Sequence, residues 1–429
     1  MTPGGTDSRR ARFLYIMALV IAGEMVFSLP FHTARFFRPT LLEVFEFSNT
    51  QLGDLFAVYG ITAMLSYFPG GPLADRFSAR SLITVSLVAT ACGGLYMATF
   101  PGPTQMAMLY GFWGITSIFL LWGALIRATR EWGGHTAQGT AFGILDAGRG
   151  LVAALVAAVA VAVLAGYLPG DATLATDAER RAGLRTVILL YSAATLAAGL
   201  LAWFVIPRPV SDKTDWKNPL AGIGLVLRRP VIWAQAGVII CAYCCYKGLD
   251  NYSLYAVQVL GMDEVEGARL ASYGAYVRPV AALAAGLIAD RFNATRSLGV
   301  AFLILTIVYS VLATLQPGNG APVMIYGNLF VSFFAVFALR GIYFALLEET
   351  RTPRHVTGAA VGVISFVGFT PEIFFASVAG RILDATPGAG GHLDFFMFLA
   401  AIAAAGVAVI LWLLWLNRNN LSARAANSV

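Results

Sequence analysis

The chain is 429 residues long, 58% hydrophobic and only 12% charged, with a net charge of +6. Soluble domains carry about 25% charged residues, so a soluble enzyme or binding module is excluded, and length does not divide into soluble domains in the usual way. The basic excess lies in short loops beside apolar blocks, which is not a nucleic-acid pattern, and all four cysteines (Cys92, Cys241, Cys244, Cys245) lie in apolar blocks, where free buried thiols are expected rather than disulfides or a zinc site.

The first apolar block, Phe13 to Leu29, follows the basic run SRRAR. It has no small-residue cleavage site and contains Glu24, so it reads as a retained span rather than a signal peptide. Blocks such as VILLYSAATLAAGLLAWFVI, Val187 to Ile206, are long enough to cross ~30 Å of hydrocarbon as helices. Twelve spans follow in order, at about 12–34, 52–74, 81–100, 104–127, 137–167, 186–207, 230–257, 266–289, 297–316, 321–347, 356–383 and 393–417. The expected fold class is an all-α integral membrane protein. The long polar stretch 209–229 divides an N-terminal half, 1–208, from a C-terminal half, 230–429.

Basic residues set the expected orientation. With the N-terminus inside, cytoplasmic segments hold 18 of the 29 Lys and Arg residues, among them Arg76, Arg80, Arg127, Arg291 and Arg296. Both termini are therefore expected in the cytoplasm, and the protein in an inner (plasma) membrane.

One polar loop occurs twice: GPLADRFSARSL after span 2 and GLIADRFNATRSL after span 8. Asp75 and Asp290 are 290 − 75 = 215 positions apart, half the chain. The same offset aligns FHTARFF (Phe31 to Phe37) with YKGLDNY (Tyr246 to Tyr252) without a gap. The chain is thus two six-span repeats, and repeats related by an axis along the membrane normal form a site between them.

These residues resemble the major facilitator superfamily over essentially the whole length. Its loop signature, Gly-x-x-x-Asp-Arg-x-Gly-x-Arg, is matched by Gly71, Asp75, Arg76 and Arg80, and echoed by Gly286, Asp290 and Arg291; Ser78 and Asn293 stand at the second glycine. The resemblance implies that the Asp and Arg of these loops lock the halves on the cytoplasmic side, so Gly71, Asp75, Arg76, Arg80, Asp290 and Arg291 are read as gating residues. The alternative is a loop kept for topology. The region around Arg35 is similar to anion-transporting branches, with Lys247 its counterpart in span 7.

Charges inside spans mark function, because a charge at the bilayer centre costs at least ~2.5–3.5 kcal/mol on insertion scales. They occur as Glu24 and Arg35 in span 1, Asp146 and Arg149 in span 5, Lys247 and Asp250 in span 7, Arg278 in span 8, Arg340 in span 10 and Glu372 in span 11. Spans 3, 6, 9 and 12 carry none in their interiors. The resemblance implies that these four lie outside the cavity, in agreement. Asp146 and Arg149, and likewise Lys247 and Asp250, stand at i, i+3 and could neutralise each other locally. Arg278 and Arg340 have no acid one turn away and would need Glu24, Glu372 or an anionic solute. Guanidinium recognises carboxylate or phosphate as a fork. The expected substrate-binding residues are Arg35, Lys247, Arg278 and Arg340, with Tyr273 and Tyr276. The expected proton-coupling acids are Glu24, Glu372 and Asp146. Fixed Glu–Arg bridges are the bland alternative.

No phosphate-binding loop is present, and His32, His135, His355 and His392 lack metal-ligand spacing. No catalysis, cofactor or metal is expected. The expected function is secondary active transport of a small organic anion by alternating access, coupled to protons, by a monomer in the lipid bilayer. The alternatives are a proton-antiport exporter of drugs or metabolites, using Glu24 and Asp146, and a transporter-like sensor that binds without moving its solute.

Overall fold

A computed structural model describes residues 5–134, 138–170, 172–207, 223–314, 322–350 and 357–426. His135, His355, Arg351, Arg354 and most of the 209–229 segment lie outside these residues. Among the described residues the regular structure is helical, without strands.

Twelve long helices follow in order among the described residues. They are α1 (Arg9–Met25 with Ser28–Phe36), α2 (Asn49–Arg76), α3 (Ala79–Met97), α4 (Pro103–Gly133), α5 (Thr140–Ala165) and α6 (Asp177–Val205). Then come α7 (Pro230–Gln258), α8 (Glu264–Phe292), α9 (Ala294–Leu312), α10 (Val323–Ala345), α11 (Ala360–Ala385) and α12 (Ala389–Arg418). Nine are long and apolar enough to cross a membrane, and α1 makes a tenth if its bent pair is one span. The other two, α2 and α8, are 28 and 29 residues long, so length is ample. Their polarity lowers their hydropathy: α2 ends in PGGPLADR, and α8 carries Glu264, Glu266, Arg269 and Arg278. Large apolar side chains such as Phe68, Phe204, Leu287 and Trp415 are exposed, as a hydrocarbon-facing surface requires.

Sequence features fix the helix starts. Ser48 Oγ accepts from the Gln51 amide at 3.1 Å, while Gln51 Oε1 accepts from the Ser48 amide at 2.9 Å, a reciprocal cap that opens α2. Thr176 and Glu179 make the same cap on α6. That cap starts α6 at Asp177, earlier than the apolar run at 186 suggests, because its first two turns are polar. Span 1 is bent: α1 turns by 42° between Met25 and Ser28. Pro30 cannot donate to the carbonyl one turn back, and a wide, π-type turn runs over Ser28–His32. The Met25 carbonyl is satisfied by the hydroxyls of Ser28 (2.6 Å) and Thr195 (3.1 Å). All four cysteines are free, but Cys92 is exposed rather than buried.

The contacts divide the chain into two compact units. The first comprises residues 1–214, 250–279 and 376–380, and the second 215–249, 280–375 and 381–429. In the first, α2 and a short piece of α11 touch backbone to backbone: a Cβ on Gly53 would stand 2.3 Å from the Ala376 carbonyl oxygen, and one on Gly380 would stand 2.4 Å from that of Asn49. Gly53 on α2, with Ala376 and Gly380 four apart on α11, permits this approach, the small-residue packing of membrane helices. Within the second unit, α8 and α10 meet closely at Ala282 and Gly341.

Candidate functional site

The intramembrane charges form three groups. In the first unit, Glu24 is the hub. Its Oε2 accepts from Arg149 Nε at 2.9 Å and lies 3.9 Å from Arg278 Nη1. Its Oε1 lies 3.2 Å from His32 Nε2. Arg278 Nη2 donates to Asp146 Oδ1 at 2.5 Å. Glu24, His32 and Arg278 are buried, so their charge must be compensated within the protein.

Packing explains how these side chains meet. Arg149 lies between Gly148 and Gly150 on α5. A Cβ on Gly148 would come within 2.7 Å of the Val20 side chain on α1, and one on Gly150 within 3.1 Å of Arg278 Cδ. The two glycines let α1 and α8 come close on either side. The Arg149 guanidinium also lies 5.5 Å from the Phe27 ring and 5.8 Å from Trp122, so its desolvated face meets π-electrons.

At i, i+3 spacing, Asp146 and Arg149 could have neutralised each other locally, which stood beside a functional role for both. Instead Arg149 takes Glu24 and Asp146 takes Arg278. The sequence also offered Glu24 or Glu372 as the acid opposite Arg278; Asp146 is nearer. Tyr273 and Tyr276 are exposed, whereas Arg278 is buried. At about 100° per residue, five and two positions back place both rings well round the helix from Arg278. His32 was read only for metal spacing. The wide turn between it and Glu24 brings the two together, and Pro30 was the legible signal.

The second group is Arg35 and Asp250, with Nε 2.5 Å from Oδ1. Ser253 Oγ donates to the Arg35 carbonyl at 2.8 Å, tying the two segments a second time.

The third group lies in the second unit. Glu372 Oε1 accepts from Lys247 Nζ at 3.2 Å, and its Oε2 accepts from the Tyr243 hydroxyl at 2.5 Å. Glu372 stands directly after Pro371, in the first turn of the segment Pro371–Ala385. The amides of Glu372 and Ile373 donate back to the Phe369 and Thr370 carbonyls, and the helix dipole there favours a carboxylate. Tyr243, Tyr246 and Lys247 share one face of α7 by i, i+3, i+4 spacing. The Arg340 guanidinium lies 3.8 Å from the Tyr246 ring centre. This group brings Lys247, Arg340, Glu372 and two tyrosines together.

The loop residues lie apart from these groups. Asp75, Arg76, Asp290 and Arg291 are exposed, and open space surrounds Gly71 and Gly286. Arg80 stacks 4.2 Å over Trp203. Arg127 holds the end of α2, donating to the carbonyls of Ala74 and Phe77. In the second loop Glu349 accepts from the amides of Ala294 and Thr295 at the start of α9.

At the other end of the first unit, Arg180 Nε lies 2.6 Å from Glu264 Oε1 and 3.2 Å from Glu43 Oε2, and its Nη1 donates to the Ala175 carbonyl at 2.7 Å. Among the described residues no cluster of three or more His, Cys, Asp or Glu side chains could hold a metal ion.

Known proteins share this architecture. The chain is 28% identical to the inner membrane protein YqcE of Escherichia coli over 412 residues, covering 93% of both. It is 26% identical to the "Probable nitrate/nitrite antiporter NarK1" of Thermus thermophilus, over 77% of both, and 23% identical to the membrane sensor protein UhpC of E. coli, over 88% of this chain and 86% of that one. Among solved structures, a single-residue mutant of the nucleoside transporter NupG superposes with a TM-score of 0.70 at 14% identity, covering 94% of this chain and 99% of that one. An inward-facing bacterial homologue of the lysosomal transporter Spinster superposes with a TM-score of 0.68 at 15% identity, covering 95% and 96%. The family profile matches residues 14–376. With its twelve helices, repeated loop and paired charges inside the spans, the chain belongs to the Major Facilitator Superfamily.

Proposed function

We propose that this membrane transporter moves a small organic anion by alternating access, coupled to protons, in an inner membrane with both termini cytoplasmic. The observation that carries the reading is the convergence of Lys247, Arg340, Glu372, Tyr243 and Tyr246 inside the spans, with the Arg340 guanidinium laid on the Tyr246 ring. An anionic solute is the natural ligand of such cations held beside aromatic rings. Arg340 offers a planar fork for carboxylate or phosphate, and Tyr246 beneath it fixes the plane. Arg35 and Arg278 are the further candidate ligands, with Tyr273 and Tyr276 on α8.

Proton coupling fits Glu372 better than Glu24. Glu372 shares its charge with one ammonium and a neutral phenol. Protonating it releases Lys247 for the solute. Protonating Glu24 would remove the carboxylate that Arg149 pairs with and leave Arg278 to Asp146 alone. Asp146, half exposed beside Arg278, is the further candidate acid.

Relatives support transport of anions and also a second reading: the name NarK1 carries is that of a nitrate/nitrite antiporter, while UhpC is named a membrane sensor. Proteoliposomes under an imposed pH gradient decide between them, with a panel of carboxylates and phosphate esters. Uphill accumulation of one anion, lost in Glu372→Gln while counterflow exchange survives, is the expected result. Tight binding of an anion with no flux would favour the sensor, and accumulation with unchanged pH dependence in Glu372→Gln would remove that residue from the coupling.

A further inference from the structure

The second unit also holds a half-open cavity, distinct from its charge group. The end of α8, the start of α9 and the facing side of α10 line a cavity of about 460 Å³, within the range of ~300–1,000 Å³ usual for ligand sites. Its wall is apolar, with Phe292 and Ile304 among the side chains, and its polar lining residues are Arg296 and Ser297, in the first turn of α9. From α10 it takes Ala335, Ala338 and Ile342, spaced i, i+3, i+7 along one helix face. Arg340 is two positions from both Ala338 and Ile342, so it points the other way, towards Tyr246. The cavity therefore lies behind the helix that carries Arg340 and is separate from the charge group of that unit.

The charged end is positive. Arg296 is exposed. Arg291 lies 5.8 Å over the Phe292 ring, at the same end. Asp290 is the nearby exposed acid, and Glu349 is engaged by the Ala294 and Thr295 amides and the Thr295 hydroxyl. Among the described residues this end thus carries two exposed guanidiniums and one exposed carboxylate. Arg296 also marks the end of a span, the level at which lipid headgroups sit.

We infer that this cavity binds an anionic phospholipid, with an acyl chain along the apolar wall and the phosphate on Arg296. A free phosphate would leave the apolar volume empty, and an uncharged chain would not use the guanidiniums. Basic pockets between membrane helices at headgroup depth recognise anionic lipids by this combination.

The test uses the full chain in neutral detergent, titrated with phosphatidylglycerol or phosphatidylcholine of matched chains and read by native mass spectrometry. Phosphatidylglycerol should bind the first site about fivefold tighter, the effect of one basic residue at an anionic lipid. Arg296→Ala should erase that preference and Arg296→Lys should keep it. Ile304→Trp, which fills the cavity, should weaken both lipids. Both positions are at least partly exposed, so the variants should fold, and thermal unfolding checks this. Equal binding of the two lipids to wild type, a preference surviving Arg296→Ala, or unchanged binding to Ile304→Trp would each overturn the assignment in favour of non-selective annular lipid.

Discussion

Arg35 and Asp250 occupy the same position in the two sequence repeats, 215 residues apart, and their side chains meet at 2.5 Å. A residue can touch its own repeat counterpart only close to the axis relating the repeats. Because the positions are equivalent, exchanging the charges should preserve the pair. Arg35→Asp and Asp250→Arg alone each bury two like charges together and should lower the melting temperature substantially, since breaking a buried pair costs about 3–5 kcal/mol. The double exchange should recover most of that loss. Solute affinity measured on the recovered protein then reads the separate role of Arg35 in recognition: unchanged affinity would make the pair purely structural.

Arg149 is the closest cation to Glu24, at 2.9 Å, and Arg278 stands off at 3.9 Å. Arg149→Ala strands a buried carboxylate and should cost on the order of 3–5 kcal/mol. Adding Glu24→Ala to it should restore part of the loss. A double-mutant cycle by thermal unfolding should give a coupling of about 0.5–3 kcal/mol, the range for residues in contact. Additive losses would show that the pair does not act as a unit.

The approach of α2 to α11 at Gly53 and Gly380 admits no side chain: added Cβ atoms would sit 2.3 and 2.4 Å from backbone oxygens. Gly53→Ala should force the backbones apart at a cost of about 1–3 kcal/mol, as overpacking does. Flux in proteoliposomes should fall more than equilibrium solute binding, because the contact joins pieces of both sequence halves through backbone and none of the charged side chains takes part in it. Wild-type flux from Gly53→Leu would show that the approach is not needed for the transport cycle.

Glu264 joins Arg180 at the first residue of α8, beyond the apolar stretch of that helix. Burial pushes its carboxyl up, and the Arg180 guanidinium pulls it part of the way back. A raised acid contributes stability that is present at low pH and lost as pH rises through the raised value. Glu264→Gln mimics the protonated form. It should therefore match wild type in acid and equal or exceed its melting temperature at pH 8. Arg180→Ala, which leaves Glu43 and Glu264 without that cation, should be the less stable variant at pH 8. A Gln variant that melts lower than wild type at pH 8 would mean that the ionised bridge is net stabilising.

In the repeated loop, Asp75 is exposed while Arg127 holds the carbonyls of Ala74 and Phe77. If the loop gates transport, Asp75→Asn should slow flux and leave equilibrium binding nearly intact. An equal loss of binding would argue for a role in recognition instead.

Much was legible without coordinates. Low charge content and apolar blocks dictated a membrane protein, because insertion penalises charge residue by residue and backbone hydrogen bonds must close within each span. The offset of 215 between Asp75 and Asp290 exposed the repeat, and the repeat exposed the fold. The positions of the intramembrane charges were legible too, since each interrupts an apolar run.

Their partners were not. Sequence spacing offered neighbours one turn away, such as Asp146 for Arg149, and for Arg278 only the choice of Glu24, Glu372 or a solute; Glu24 stands 3.9 Å from it, behind Asp146 at 2.5 Å. The pairs seen are Glu24–Arg149, Asp146–Arg278, Arg35–Asp250 and Lys247–Glu372, separated by 125, 132, 215 and 125 residues. Helix packing chose them. Gly148 and Gly150 let α1 and α8 reach Arg149, and the turn at Pro30 swung His32 onto Glu24. Sequence fixes which charges enter the membrane through a local cost paid on each helix. Which charge meets which depends on side chains crossing between helices, and that geometry exists only once the helices have packed.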